Sequence, residues 1–126
     1  MNEHALQSAY FDWIRLLAKT DDRYQWAFAI PNGFWIAHTD KKRGGAFVNK
    51  MKREGLTPGV SDVCIPYPTK RYHGLYIEFK MPKKQPSALQ KRFLMAMRDR
   101  GYCAGCITNI DDAMNLTLTY MKGDVR

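Results

Sequence analysis

Apolar residues change their spacing along the chain, from three-to-four to two and back, and that rhythm lays out the elements. Leu6, Tyr10, Trp13 and Leu17 recur at helical intervals over residues 3–19, which predicts an amphipathic helix that buries this stripe. Thr20-Asp21-Asp22 ends it. Residues 26–30, Trp-Ala-Phe-Ala-Ile, read as a strand closed by the breaker Pro31-Asn32-Gly33. After a basic loop, residues 46–54 predict a short basic helix with Gly55 as its stop. Residues 62–65 predict a short strand, and residues 75–80 a stronger one rich in aromatic and branched side chains. Ser87 and Gln90 stand at capping-box spacing ahead of a helix that carries Phe93, Leu94 and Met97. Gly101 closes that helix, residues 102–108 predict a further strand, and residues 111–121 a last amphipathic helix. Such interleaving predicts a mixed α/β fold with helices packed on a central sheet.

Length and charge narrow the class. At 126 residues and 14.6 kDa, a single domain spanning 1–126 is expected. Lysine and arginine total 20 against 12 acidic residues, a net charge of +8, which points to an anionic partner, nucleic acid before membrane surface. No apolar run approaches the roughly 20 residues of a membrane-spanning helix. The polar start Met1-Asn2-Glu3-His4 lacks the basic-then-apolar order of a signal peptide. Three cysteines without a secretory context predict reduced thiols and a cytoplasmic protein, with no membrane partner.

The chemistry enters through the strand over 75–80. Alternation puts Leu75, Ile77 and Phe79 on one face and Tyr76, Glu78 and Lys80 on the other. Asp62 opens the preceding strand, and pairing the two strands as neighbours brings both carboxylates within reach of one metal ion. Phosphodiester hydrolysis needs charge neutralisation on the nonbridging oxygens and a hydroxide at neutral pH; a hard divalent cation on a few carboxylates supplies both. Lys80 beside such an ion would polarise the attacking water or stabilise the transition state. The competing reading is a structural Glu78–Lys80 ion pair on a solvated face.

Pro58-Gly59-Val60-Ser61-Asp62, then Gly74-Leu75-Tyr76-Ile77-Glu78-Phe79-Lys80, then Ser87-Ala88-Leu89-Gln90 closely resemble the virus-type replication-repair nuclease (VRR-NUC) domain, a branch of the PD-(D/E)XK nuclease superfamily. The likeness runs from Glu3 to Gly101-Tyr102, four spaced blocks in order, with Ser61 standing where the motif usually has proline. It implies a restriction-endonuclease-like core with a central mixed β-sheet flanked by helices. It further implies a Mg²⁺- or Mn²⁺-dependent DNA endonuclease with Asp62, Glu78 and the Phe79 backbone carbonyl on the metal and Lys80 as catalytic lysine. Gln90 matches the glutamine after the catalytic strand, and Glu3 the glutamate of the first helix; a helix cap and a first-turn charge are their alternative roles. Stand-alone members resemble phage proteins that act as homodimers on branched DNA, resolving four-way junctions. A flap- or duplex-directed nuclease, or a non-catalytic basic module, is the alternative, and no small-molecule cofactor is expected.

Basic residues divide into two groups. Lys41, Lys42, Arg43, Lys50, Lys52 and Arg53 precede the Asp62 strand, while Lys83 and Lys84 follow the catalytic strand; these are the expected phosphate contacts. Lys91, Arg92, Arg98 and Arg100 read more simply as a solvated helix face. Cys103 and Cys106 have CxxC spacing, yet on a strand positions three apart diverge to opposite faces, which argues against zinc or redox chemistry. His4, His38 and His73 are scattered and read as surface histidines, and Trp13 reads as core.

Overall fold

The computed structural model describes residues 2–31 and 45–126. Within them the chain forms α1 (Glu3–Ala18), a 3-10 turn (Asp22–Trp26), β1 (Phe28–Ala29), α2 (Ala46–Arg53), β2 (Val63–Ile65), β3 (Leu75–Phe79), α3 (Ala88–Asp99), β4 (Cys103–Ile107) and α4 (Ile110–Met121). The strands make one sheet in the order β1-β2-β3-β4. β2 runs antiparallel to both β1 and β3, whereas β4 is parallel to β3, with α3 as the crossover between them. The sheet is therefore mixed, as expected. No described helix is long and apolar enough to cross a membrane.

Side-chain caps start α1, α3 and α4. Asn2 caps α1 by accepting from the Ala5 N–H, and Asn109 caps α4 by accepting from the Asp112 N–H. At α3 the capping box is complete: the Ser87 hydroxyl accepts from the Gln90 N–H, and the Gln90 side chain accepts from the Ser87 N–H.

Strand alternation then sorts the sheet into two faces. Val63, Ile65, Leu75, Ile77 and Phe79 are fully buried against α1 and α4, joined by Leu6, Tyr10, Ile14, Ala113 and Tyr120. On the opposite face Tyr76 meets Phe93 of α3 edge-on, ring centroids 5.1 Å apart. Cys103 belongs to the first face and packs in the core, while Cys106 lies in register beside Glu78 on the other. The two sulfurs of the CxxC thus diverge.

Two expectations need correction. The strand over 26–30 shortens to Phe28–Ala29, because the Asp21 side chain accepts from the Arg23 N–H and grips the Arg23 guanidinium at 2.7 Å, nucleating a 3-10 turn that takes up Trp26. The buried stripe of α1 is also turned. Tyr10 centres the packed face, with its ring 5.5 Å from Phe79 and its hydroxyl on Thr117. That rotation brings Phe11 and Ile14 inward and leaves Trp13 and Leu17 half-buried at the rim.

The hydroxyl pair inside this core is directional. Thr117 Oγ1 donates its single proton to the Ala113 carbonyl at 2.8 Å, so the Tyr10 hydroxyl donates to Thr117 Oγ1 at 2.7 Å. Tyr10→Phe leaves Thr117 still bonded, whereas Thr117→Val strands a buried phenol. Urea melts should therefore show Thr117→Val losing about 1–3 kcal/mol and Tyr10→Phe only about 1 kcal/mol, with the double variant less unstable than the sum.

Candidate active site

The register of β2 and β3 builds the site. Val63 pairs with Ile77 and Cys64 with Tyr76, so Asp62, one residue before β2, falls opposite Glu78 on the same face. Asp62 is held at both ends. Its carbonyl accepts from the Ile30 N–H at 2.8 Å, and its Oδ2 accepts from the Phe79 N–H at 2.8 Å. Lys80 follows directly, its own N–H donating to the Ile107 carbonyl at 3.0 Å, which carries the ladder past the end of β3.

Glu78 is 2% exposed and only partly satisfied. Its Oε2 accepts from Gln90 Nε2 at 3.2 Å, while its Oε1 is buried with no hydrogen-bond partner among the described residues. Burial is the main cause that raises the Glu78 carboxyl above the ordinary carboxylate range. The facing Asp62 and the more distant Glu3 add to it, and Lys80 opposes. Burial likewise raises the Cys106 thiol, which feels Glu78, Lys80, Asp62 and Glu3 across the same space.

Asp62, Glu78, Lys80, Gln90 and Glu3 line one cavity of about 690 Å³. Five residues that the sequence separates by as many as 87 positions thus converge. Lys84 lines it too; Lys83 sits in the adjoining turn with φ +72, where the Lys84 N–H bonds the Met81 carbonyl at 3.1 Å. Lys50, Lys52 and Arg53 ride on α2 and take no part in the cavity wall. Lys41, Lys42, Arg43 and His38 lie outside the described residues. His4, which its sequence context marked only as a surface residue, joins the wall with Gln7 from the same face of α1. Its spacing of one residue from Glu3 and three from Gln7 was the available signal.

The donor set suits a hard cation. Among the described residues no three His, Cys, Asp or Glu side chains form a ready-made metal centre. An ion here would take two carboxylates and complete its shell with main-chain oxygen and water, the pattern of Mg²⁺ and Mn²⁺ rather than zinc. A bare carboxylate oxygen facing a second carboxylate is what such an ion relieves.

A loop contact fixes the third wall. Gly59 has φ +92, and a Cβ there would lie 2.6 Å from the Leu89 carbonyl oxygen, one residue before Gln90. The loop leading into Asp62 thereby presses on the first turn of α3.

The model of the VRR-NUC domain matches residues 3–108. The chain belongs to the VRR-NUC family. A solved structure described as a VRR_NUC domain protein matches with a TM-score of 0.76 and 23% identity, over 97% of this chain and 89% of that chain. At that identity the likeness establishes the fold, a PD-(D/E)XK-type nuclease fold. The curated proteins contain no match to the sequence. Membership in the VRR-NUC family implies a nuclease-type function, with DNA as the partner.

Two outcomes follow from the VRR-NUC site geometry. A carboxyl with a raised folded pKa contributes most to stability below its unfolded value, about 4.3, and loses that contribution as pH rises through the folded value. In chelator, Glu78→Gln should therefore melt a few degrees above wild type at pH 8, and thermal scans should show the gap closing toward pH 4. Gly59→Ala should cost about 1–3 kcal/mol in denaturant melts, through the left-handed φ and the Leu89 clash, and shift the Gln90 side-chain amide resonances.

Proposed function

We propose that this VRR-NUC domain hydrolyses DNA phosphodiester bonds with Mg²⁺ or Mn²⁺ held by Asp62, Glu78 and the Phe79 backbone carbonyl. The observation that carries the reading is the buried Oε1 of Glu78, without a hydrogen-bond partner among the described residues, set opposite Asp62 in the wall of a cavity wide enough for a phosphodiester. When bound there, such an ion would supply charge neutralisation and make hydroxide available at neutral pH.

The protein's own residues have separable tasks. Asp62 keeps one oxygen on the Phe79 N–H, which sets the direction of the other. Gln90 holds Glu78 Oε2 and thereby fixes the rotamer that aims Oε1 into the cavity. Lys80 brings its ammonium to the same space, where it stabilises charge on the nonbridging oxygens and orients the attacking water. Glu3, from the start of α1, adds a third carboxylate to the wall of the same cavity. Lys83 and Lys84 stand next to the site and contact phosphates, and Lys50, Lys52 and Arg53 extend the basic surface along α2.

Branched DNA is the proposed substrate, a four-way junction cut by a homodimer, since a twofold pair of sites matches two symmetry-related strands. This part rests on the resemblance of the chain to stand-alone members of the family.

The test is cleavage of a labelled panel (four-way junction, 5′ flap, splayed arm, duplex, single strand) in Mg²⁺ or Mn²⁺. Asp62→Ala, Glu78→Ala and Lys80→Ala should each lower the rate by several powers of ten. Mg²⁺ should raise the melting temperature of wild type and leave Asp62→Ala unmoved. Paired symmetric nicks in the junction and a dimer in sedimentation support the finer assignment. Cutting confined to flaps or duplex removes it, and no cutting with any metal defeats the nuclease reading.

A further inference from the structure

A second hollow of about 500 Å³ opens from the first. The two share His4, Gln7 and Ala29, so the carboxylate cavity continues as a groove between α1 and β1. One wall is the flank of α1, where His4, Gln7, Asp12 and Arg15 stand beside the rim of the buried Phe11; the other is the main chain and side chains of Ala27–Ala29. From His4 to Arg15 this wall is about 16 Å long.

The composition of the walls says what fits between them. Phe28 is an aromatic residue on the edge strand, yet 48% of it is exposed. Across from it, the Arg15 guanidinium lies over the Phe11 ring, 5.6 Å from its centroid, which holds the cation on the groove wall. An exposed ring paired with a fixed arginine is the equipment for stacking a planar base while holding its phosphate. A duplex offers no free base faces along its length, whereas a strand that has left its partner does. The groove adjoins the carboxylate cavity at His4, Gln7 and Ala29, so a strand lying in it leads toward the bond being cut.

We propose that this groove holds an unpaired strand leading away from the scissile phosphate, with a base on Phe28 and a phosphate on Arg15. The inference rests on the nuclease reading and deepens it: at a branch, whether the crossover of a junction or the foot of a flap, the strand parting from its partner beside the cut is the one this groove takes. Asp12 lies on the same wall and repels phosphate, which lowers affinity without touching the carboxylate cavity.

Binding in Ca²⁺, read by anisotropy of a labelled duplex with and without a single-stranded tail, tests this. Wild type should prefer the tailed duplex, and Phe28→Ala should erase roughly tenfold of that preference while leaving blunt-duplex affinity in place. Arg15→Gln, at an exposed position that leaves the fold intact, should weaken tailed binding and reduce the salt slope by about one. Asp12→Asn should tighten it severalfold, the opposite sign. Equal binding of tailed and blunt duplex by wild type overturns the inference, as does a Phe28→Ala effect of the same size on both. Cleavage of the panel above that none of the three substitutions alters overturns the groove alone, and absence of both binding and cleavage overturns the nuclease reading with it.

Discussion

Two carboxylates placed directly opposite each other across an antiparallel strand pair repel when both are ionised, and here one of them is also held out of water with an oxygen that no described residue hydrogen-bonds. Folding must supply the force that keeps them there, and it comes from the reverse side of the same strands. Val63, Ile65, Leu75, Ile77 and Phe79 are fully buried against α1 and α4. A slip of one residue in the β2–β3 register would turn that whole apolar set toward the cavity and Glu78 into the core. The hydrophobic face therefore sets the spacing of the charged one, and the Phe79 N–H on Asp62 locks the last step of the register.

The cavity mouth is organised by charge rather than by packing. Lys80 and Lys84 reach it from the end of β3 and the turn beyond, in a chain whose net charge is +8. Lys83 adopts a left-handed backbone conformation in which glycine would be at ease. Retaining a lysine there costs about 1 kcal/mol, which is consistent with a side chain kept for its charge rather than for its fit. Such a surface draws a polyanion toward carboxylates that, on their own, would repel it.

Most of the architecture was legible along the chain because its signals are local. Periodicity and caps placed the helices within a residue or two, and Ser87 with Gln90 marked the start of α3 to the residue. Alternation over 75–80 separated Glu78 from the core before any partner strand was known. What escaped was long-range. The 3-10 turn at Asp22–Trp26 depends on the Asp21–Arg23 pair overriding the strand character of Trp26. The turned face of α1 depends on Tyr10 meeting Thr117, which lies 107 residues away. Cys106 borders the site through strand order and register, which no spacing in the chain encodes.

Gln90 serves two structures with one side chain: its carbonyl oxygen accepts from the Ser87 N–H and its amide nitrogen donates to Glu78. Glutamate would keep the cap but bring a third carboxylate against the first two, and asparagine falls one methylene short. Lysine or arginine would reach Glu78 but has no acceptor for the helix start. Position 90 is thus a place where the demands of folding and of chemistry intersect in a single amino acid, so drift there is closed off in every direction, and a lineage that abandons one role must abandon the other in the same step.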